Sequence, residues 1–212
     1  MEYNGVVTDT RESLIETAER LFMERGTDVS GHDITIASGA KNKSAIQYHF
    51  TNRTGLIRAV LDKHEVDVAA RRHALLDTYE AAGVDDIRAL AAALVEPLAA
   101  ELSNPDGGPG YLQLLSAVYN RPAFSVTAEV LSDSTNSNLR WHRIVHPLLE
   151  PDAVRLHRRF DALRIASSEL ARRAHAGVKD QRLFTSQLVD LIAGLLLAPI
   201  SDATRKLVKS RK

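Results

Sequence analysis

Cysteine is absent from this 212-residue chain, which removes disulfides, thiolate metal sites and cysteine nucleophiles together. Net charge is absent too: 27 Lys and Arg balance 27 Asp and Glu. That balance argues against a protein that coats nucleic acid non-specifically, so an anion-binding face must come from local placement of charge. Long apolar runs are lacking. The most apolar stretch, residues 183–200, is broken by Gln187, Asp190 and Pro199 and is too polar for a membrane span. The opening MEYNGVVTDTRE holds no apolar core of signal-peptide type. The expectation is a soluble cytoplasmic protein with no membrane partner.

Catalytic signatures are missing as well. There is no nucleotide-binding glycine motif, nucleophile elbow or paired-histidine metalloprotease pattern. The chain is read as a non-enzyme with no catalytic residue and no cofactor. His142 and His146 are four apart, as metal ligands on a helix can be, with Glu150 and His157 near in sequence. No third ligand is set by spacing, so they are read as surface histidines and no metal is expected.

What is present is helical periodicity. Strand signals are scarce, and 44% hydrophobic residues recur at helical spacing almost throughout. Asp9 caps a first helix with the stripe Leu14, Ile15, Ala18, Leu21 and Phe22, stopped at Gly26. Ser30 with Asp33 starts a second, short helix that ends at Gly39. Asn42 caps a third over residues 44–50, and Asn52 a fourth that continues to about Tyr79. Asp85 or Asp86 opens a helix carrying Leu90, Leu94 and Leu98, kinked at Pro97. Residues 104–110 read as the clearest loop, followed by a helix over 111–120. Pro122 opens another, and 139–149 a further piece. Ala153, Leu156, Phe160, Leu163, Ser167, Leu170 and Ala174 step as a heptad seam. Asp180 caps a last helix with a wide apolar face, and the closing KLVKSRK reads as frayed.

Charge is not spread evenly over these elements. Residues 34–61 hold Lys41, Lys43, Arg53 and Arg58 without one acid, whereas residues 9–33 hold seven acids against three arginines. Acids are kept from one short helix and its flanks, as a surface that meets phosphate requires. A helix-turn-helix puts the start of its second helix nearest base edges. By spacing, Lys43, Ser44, Ala45 and Gln47 occupy those first turns. Gln47 suits an adenine edge, Lys43 a guanine and Ala45 a thymine methyl. The plain alternative is a solvated basic helix pair.

The pieces Leu14-Ile15-Glu-Thr-Ala18-Glu-Arg-Leu21-Phe22, Arg25-Gly26, Asp33-Ile34, Ala37-Ser38-Gly39, Tyr48-His49-Phe50 and Thr51-Asn-Arg-Thr-Gly-Leu56 resemble, in order, the N-terminal domain of the tetracycline-repressor (TetR) family. The segment from Gly26 to Ile34 is one residue shorter than the family's commonest spacing, and the turn from Gly39 to Ser44 one longer. The resemblance implies backbone contacts to DNA from Tyr48 and His49, and a core role for Phe50 against helix one. It implies phosphate contacts at the turn and flanks from Ser30, Lys41, Asn42, Asn52 and Arg53. Such contacts set register and salt dependence, not sequence.

The predicted fold class is all-α, with a helix-turn-helix DNA-binding domain over 1–52 and a larger helical ligand-binding and dimerisation domain over 53–212. The last two helices either close the core of one subunit or, as the resemblance implies, pair across a two-fold axis. The expected dimer residues are Leu156, Phe160, Leu163, Leu170, Phe184, Leu188, Leu191, Ile192 and Leu195. A small-molecule effector is expected among Leu94, Leu98, Tyr111, Leu115, Val118, Tyr119, Trp141 and His142, each of which is also plausible as ordinary core. The expected function is a ligand-responsive transcriptional regulator, acting as a repressor, that binds a palindromic double-stranded DNA operator as a homodimer. The alternative is a helical small-molecule-binding or scaffold protein whose helix-turn-helix does not read DNA.

Overall fold

The computed structural model describes residues 9–121 and 135–210. Among them eleven α-helices and two short 3-10 turns occur, and no strand. The first four helices are α1 (Thr10–Arg25), α2 (Gly31–Ala37), α3 (Ala45–Phe50) and the long α4 (Arg53–Ala82). They begin where short polar side chains can accept the unpaired N–H groups of a first turn. Asp9 accepts from the Arg11 N–H at 3.1 Å, Ser30 from Asp33 at 3.1 Å and Asn52 from Gly55 at 3.0 Å. Asn42 departs from the expected capping role. Its side chain accepts the Ser44 N–H at 2.9 Å and so folds the turn before α3, and Ser44 makes no side-chain cap bond.

Six helices follow α4: α5 (Ile87–Ala99), α6 (Gly108–Tyr119), α7 (Ser137–Val145), α8 (Pro151–Arg155), α9 (Arg158–His175) and α10 (Arg182–Leu197), and then α11 (Asp202–Ser210). Pro97 lies inside α5, which tightens into a 3-10 turn over Ala100–Ser103. Three expectations change here. The loop expected over 104–110 ends early, because Gly108, Pro109 and Gly110 already belong to α6. Proline is tolerated in a first helical turn. The seam expected as one helix over 153–174 is broken at His157, whose φ of 57° places it outside any right-handed helix. Arg158, which opens α9, donates to the carbonyls of Leu196 and Ala198 at the end of α10. The basic tail is helical as far as Ser210, with Arg205 bonded to Glu150 at 2.7 Å and to the Ile200 carbonyl. The helix expected from Pro122 lies outside the described residues.

Buried side chains form two apolar clusters. One joins Leu14, Ala18, Leu21 and Phe22 of α1 to Ile34, Ala45, Ile46 and Phe50, and includes Leu56, Ile57 and Val60 of α4 and Leu114 of α6. The other runs from Val68 and Leu76 of α4 through α5, α6, α7, α9 and α10. Burying side chains of this size contributes roughly 1.5–3 kcal/mol each.

Between the clusters lies a buried ionic clasp. His64 of α4 bridges two carboxylates, with Nε2 2.9 Å from Glu19 of α1 and Nδ1 2.8 Å from Glu101. All three side chains are buried. Lys63 adds a 2.9 Å bond to Glu19 and a 2.7 Å bond to Asp106. Burial alone would lower the His64 pKa, but the bonds and charges of Glu101 and Glu19 outweigh it and raise it from 6.5 to about 9. The ring is therefore an imidazolium at neutral pH, held by both carboxylates. Gly110 completes the joint: a Cβ there would collide with the Glu19 backbone, so only glycine lets α6 approach α1 this closely. Together these contacts set how the first three helices sit on the bundle.

Candidate nucleic-acid interface

α3 is half covered and half open. Ala45, Ile46 and Phe50 are buried on its inner face, and Phe50 also carries the Arg11 guanidinium 5.3 Å over its ring. Gln47 and Tyr48 are exposed on the outer face, as are Lys41, Asn42, Lys43 and Ser44 in the preceding turn. Tyr48 is 79% exposed and, on α2, Ile36 is 64% exposed. These apolar groups and the cations Lys41 and Lys43 are all exposed to solvent. No acid interrupts the chain from residue 34 to residue 61.

The joint between α3 and α4 fixes the angle at which this surface is presented. Thr51 has φ 68°, a left-handed value that costs a threonine roughly 1–3 kcal/mol. A Cβ at Gly55 would overlap the Phe50 carbonyl oxygen. The first turn of α4 thus lies directly on the end of α3, and Asn52 caps it there.

Of the expected DNA-contact residues, Lys41, Asn42, Lys43, Ser44, Gln47, Tyr48 and Asn52 are exposed and His49 is half-buried with its ring edge-on to Tyr48 at 4.9 Å. Three sit otherwise. Ala45 is 2% exposed and packs in the N-terminal core, so its methyl is not available to a thymine. Arg53 donates to the Val29 carbonyl at 3.2 Å and to the Thr27 carbonyl; it braces the loop before α2. Ser30 spends its hydroxyl on Asp33, donating to the carboxylate at 2.7 Å while capping α2.

The expected effector residues divide. Leu94, Leu98, Tyr111, Leu115 and Trp141 are buried, and Trp141 donates to the Leu90 carbonyl at 2.7 Å. Val118 packs on the N-terminal cluster instead. The charge of a residue that sequence reading missed, Arg72 of α4, acts on Tyr111, Tyr119 and His142. Burial pushes the Tyr119 phenol up to about 12, with Glu65 adding to it. Burial first, then Arg159 and Arg72, pulls His142 down to about 4. The signal for Arg72 was there: Val60, His64, Val68, Arg72 and Leu76 recur every four residues, and all five are buried. Glu19 and Glu101 carried no comparable signal.

The expected dimer residues also divide. Leu163 and Leu170 of α9 and Leu188 and Ile192 of α10 are buried within the chain, packed together in the bundle core. Leu156 and Leu191 are exposed and Phe160, Phe184 and Leu195 half-buried. Leu183, at 81% exposure, and Leu197, at 61%, extend that open face on α10.

Among the described residues, no group of three or more His, Asp or Glu is placed to hold a metal ion, and no single helix is long and apolar enough to cross a membrane. No family model matches the chain, and no curated protein matches it. Among solved structures, the crystal structure of Mycobacterium smegmatis AmtR is similar over 98% of this chain and 98% of its own, at 16% identity and a TM-score of 0.49.

Proposed function

We propose that the chain is a DNA-binding transcriptional regulator, a repressor that binds a two-fold symmetric operator as a homodimer and is released by a small molecule. The observation that carries this reading is the open face of α3 and its turn, where Lys41, Lys43, Gln47 and Tyr48 stand in solvent with no acid among them. Residues 1–52 are the reading unit and 53–212 the ligand-binding and dimerising unit. Lys43, Ser44 and Gln47 meet base edges; Lys41, Asn42, Tyr48, His49 and Asn52 meet the backbone. The exposed leucines Leu183, Leu191 and Leu197 of α10 support pairing of two copies, since apolar groups gathered on one exposed helix mark interaction surfaces. Two copies then hold their α3 helices roughly 34–36 Å apart, the spacing of successive major grooves.

The test is selection of bound duplexes from a random library, then titration of the winner at several salt concentrations. A two-fold symmetric consensus with a steep fall in affinity as salt rises supports the reading. Equal weak binding to every duplex favours a scaffold whose helix-turn-helix no longer reads DNA.

A further inference from the structure

His64 holds two carboxylates that belong to different parts of the molecule. Glu19 comes from α1, in the N-terminal cluster, and Glu101 from the 3-10 turn that follows α5, on the bundle. The ring and both carboxylates are at most 2% exposed, so a carboxylate that loses its partner here is left buried and unpaired at high cost. A neutral imidazole has one N–H and an imidazolium has two. With Nε2 2.9 Å from Glu19 and Nδ1 2.8 Å from Glu101, only the doubly protonated ring donates to both. A ring that has lost one proton turns a lone pair toward one of the two carboxylates.

The groups around the ring leave His64 as the member whose charge changes first as pH rises. From α1 it faces Glu19. Its own helix brings Lys63, 2.9 Å from Glu19, and Arg71, 3.6 Å from Glu101. The segment after α5 brings Glu101, to which Asn104 also donates at 2.8 Å, and Asp106, which pairs with Lys63. From α6 the Tyr111 ring stacks on the imidazole at 4.6 Å. Burial pushes the Tyr111 phenol well up. Burial would lower Lys63, but its bonds to Asp106 and Glu19 raise it. The joint is also tight, since a Cβ at Gly107 would overlap the Glu19 carboxylate; a repelled carboxylate has little room to turn aside on its own.

We propose that His64 is a proton-operated joint between the first three helices and the bundle: the doubly protonated ring holds α1 and the turn after α5 together, and the ring with one N–H holds only one of them. Loss of the proton at alkaline pH changes how the two apolar clusters sit on each other while each stays folded. The N-terminal cluster packs α1 against α2 and α3, so the α3 surface moves with α1. This regulation by alkalinity rests on the regulator proposed above only for its consequence at DNA.

The chain has no cysteine, so Ala37→Cys on α2 and Ala176→Cys just past α9, both exposed positions, take a pair of spin labels. The labelled full chain is diluted with an excess of unlabelled chain, which isolates distances within one copy. Double electron–electron resonance then follows the label distance from neutral pH to about 10, beyond the His64 midpoint of about 9, with circular dichroism on the same samples. The distance distribution should shift or broaden as pH passes that midpoint, at unchanged helix content. Glu19→Gln should keep the neutral-pH distance throughout, because its amide donates to the bare Nε2, its carbonyl oxygen accepts from Lys63, and Nδ1–H serves Glu101. His64→Gln, whose amide has donors on one side only, should show the shifted distribution already at neutral pH. A wild-type distance that stays constant over this range overturns the proposal. So does a Glu19→Gln chain that shifts with pH as the wild type does, a His64→Gln chain that keeps the wild-type distance, or a change seen only together with loss of helix. A chain whose distance moves but which selects no DNA keeps the joint and loses the regulator; one that selects DNA at a fixed distance does the reverse.

Discussion

Around the first turn of α4 and the helices before it, cations stand in solvent. Lys41, Lys43 and Arg58 are exposed, and the side chains beneath them, Ile46, Phe50 and Leu56, are wholly apolar. Further along the same helix the arrangement inverts: His64 and Arg72 are buried, and their partners Glu19, Glu101 and Ser137 are buried with them. The contrast shows how burial sets what a charge does. A cation in water contributes little to stability and stays available to a phosphate. A buried one is committed: it orients whatever faces it, and removing one partner leaves the other unpaired at high cost.

Breaking the buried half should have the largest effect. His64→Ala leaves Glu19 and Glu101 facing each other in the interior and is expected to cost about 3–5 kcal/mol, measured by urea denaturation. A loss below about 1 kcal/mol would mean that the clasp behaves like a surface pair and that the contrast is false. The same residue predicts a pH dependence. Its folded pKa of about 9 lies above the ordinary histidine value of 6.5, so its contribution is complete below about pH 6.5 and is lost as pH rises through 9. His142, lowered to about 4, acts in the opposite window, with stability lost as pH falls from 6.5 toward 4. Stability traced against pH should therefore decline on both sides of about pH 6.5, and His64→Gln should remove only the alkaline limb.

Gly110→Ala probes the joint between the halves. The added methyl meets the Glu19 backbone, and separating α6 from α1 should cost roughly 1–3 kcal/mol; a normal melting temperature would show that the approach is not needed. On the exposed half, Gln47→Ala should lose roughly 1–3 kcal/mol of discrimination at one operator position. Lys41→Ala should weaken all duplexes alike and reduce the salt slope by about 1. If the two swap behaviours, α3 lies on DNA in another register. Thr51→Gly sharpens the comparison most gently: relief of the left-handed threonine should stabilise the fold by about 1 kcal/mol, seen as a small rise in the denaturation midpoint, with the α3 surface unchanged.

The two halves also differ in how far they can be read in advance. Asp9, Ser30 and Asn52 each satisfy an N–H two or three residues away, so the first, second and fourth helix starts are visible in a short window of sequence. The charge bias of residues 34–61 and the order of the family-like pieces are equally local. Asn42 shows the limit, since it bonds two residues on and shapes a turn instead of a helix start. In the bundle the same kind of inference fails sooner. The seven-residue step from Ala153 to Ala174 looks continuous, yet the chain turns at His157, because Arg158 is held by carbonyls forty residues away. Gly108 to Gly110 look like loop yet form the first turn of α6, with Gly108 against the Glu101 carbonyl and Gly110 against the Glu19 backbone of α1.

Sequence alone determined that the fold is helical, where the first, second and fourth helices start, and that residues 34–61 carry cations without acids, in the turn before one short helix and at the start of the next. These depend on periodicities and bonds that span a few residues. Only the tertiary structure decided that Glu19, His64 and Glu101 meet, that Ala45 and Arg53 turn inward, and that Arg72 is sealed in the core. Each of those outcomes depends on which helix lies against which. Burial, which makes a charge structural or leaves it free to bind, is a property of that packing and of no single stretch of chain.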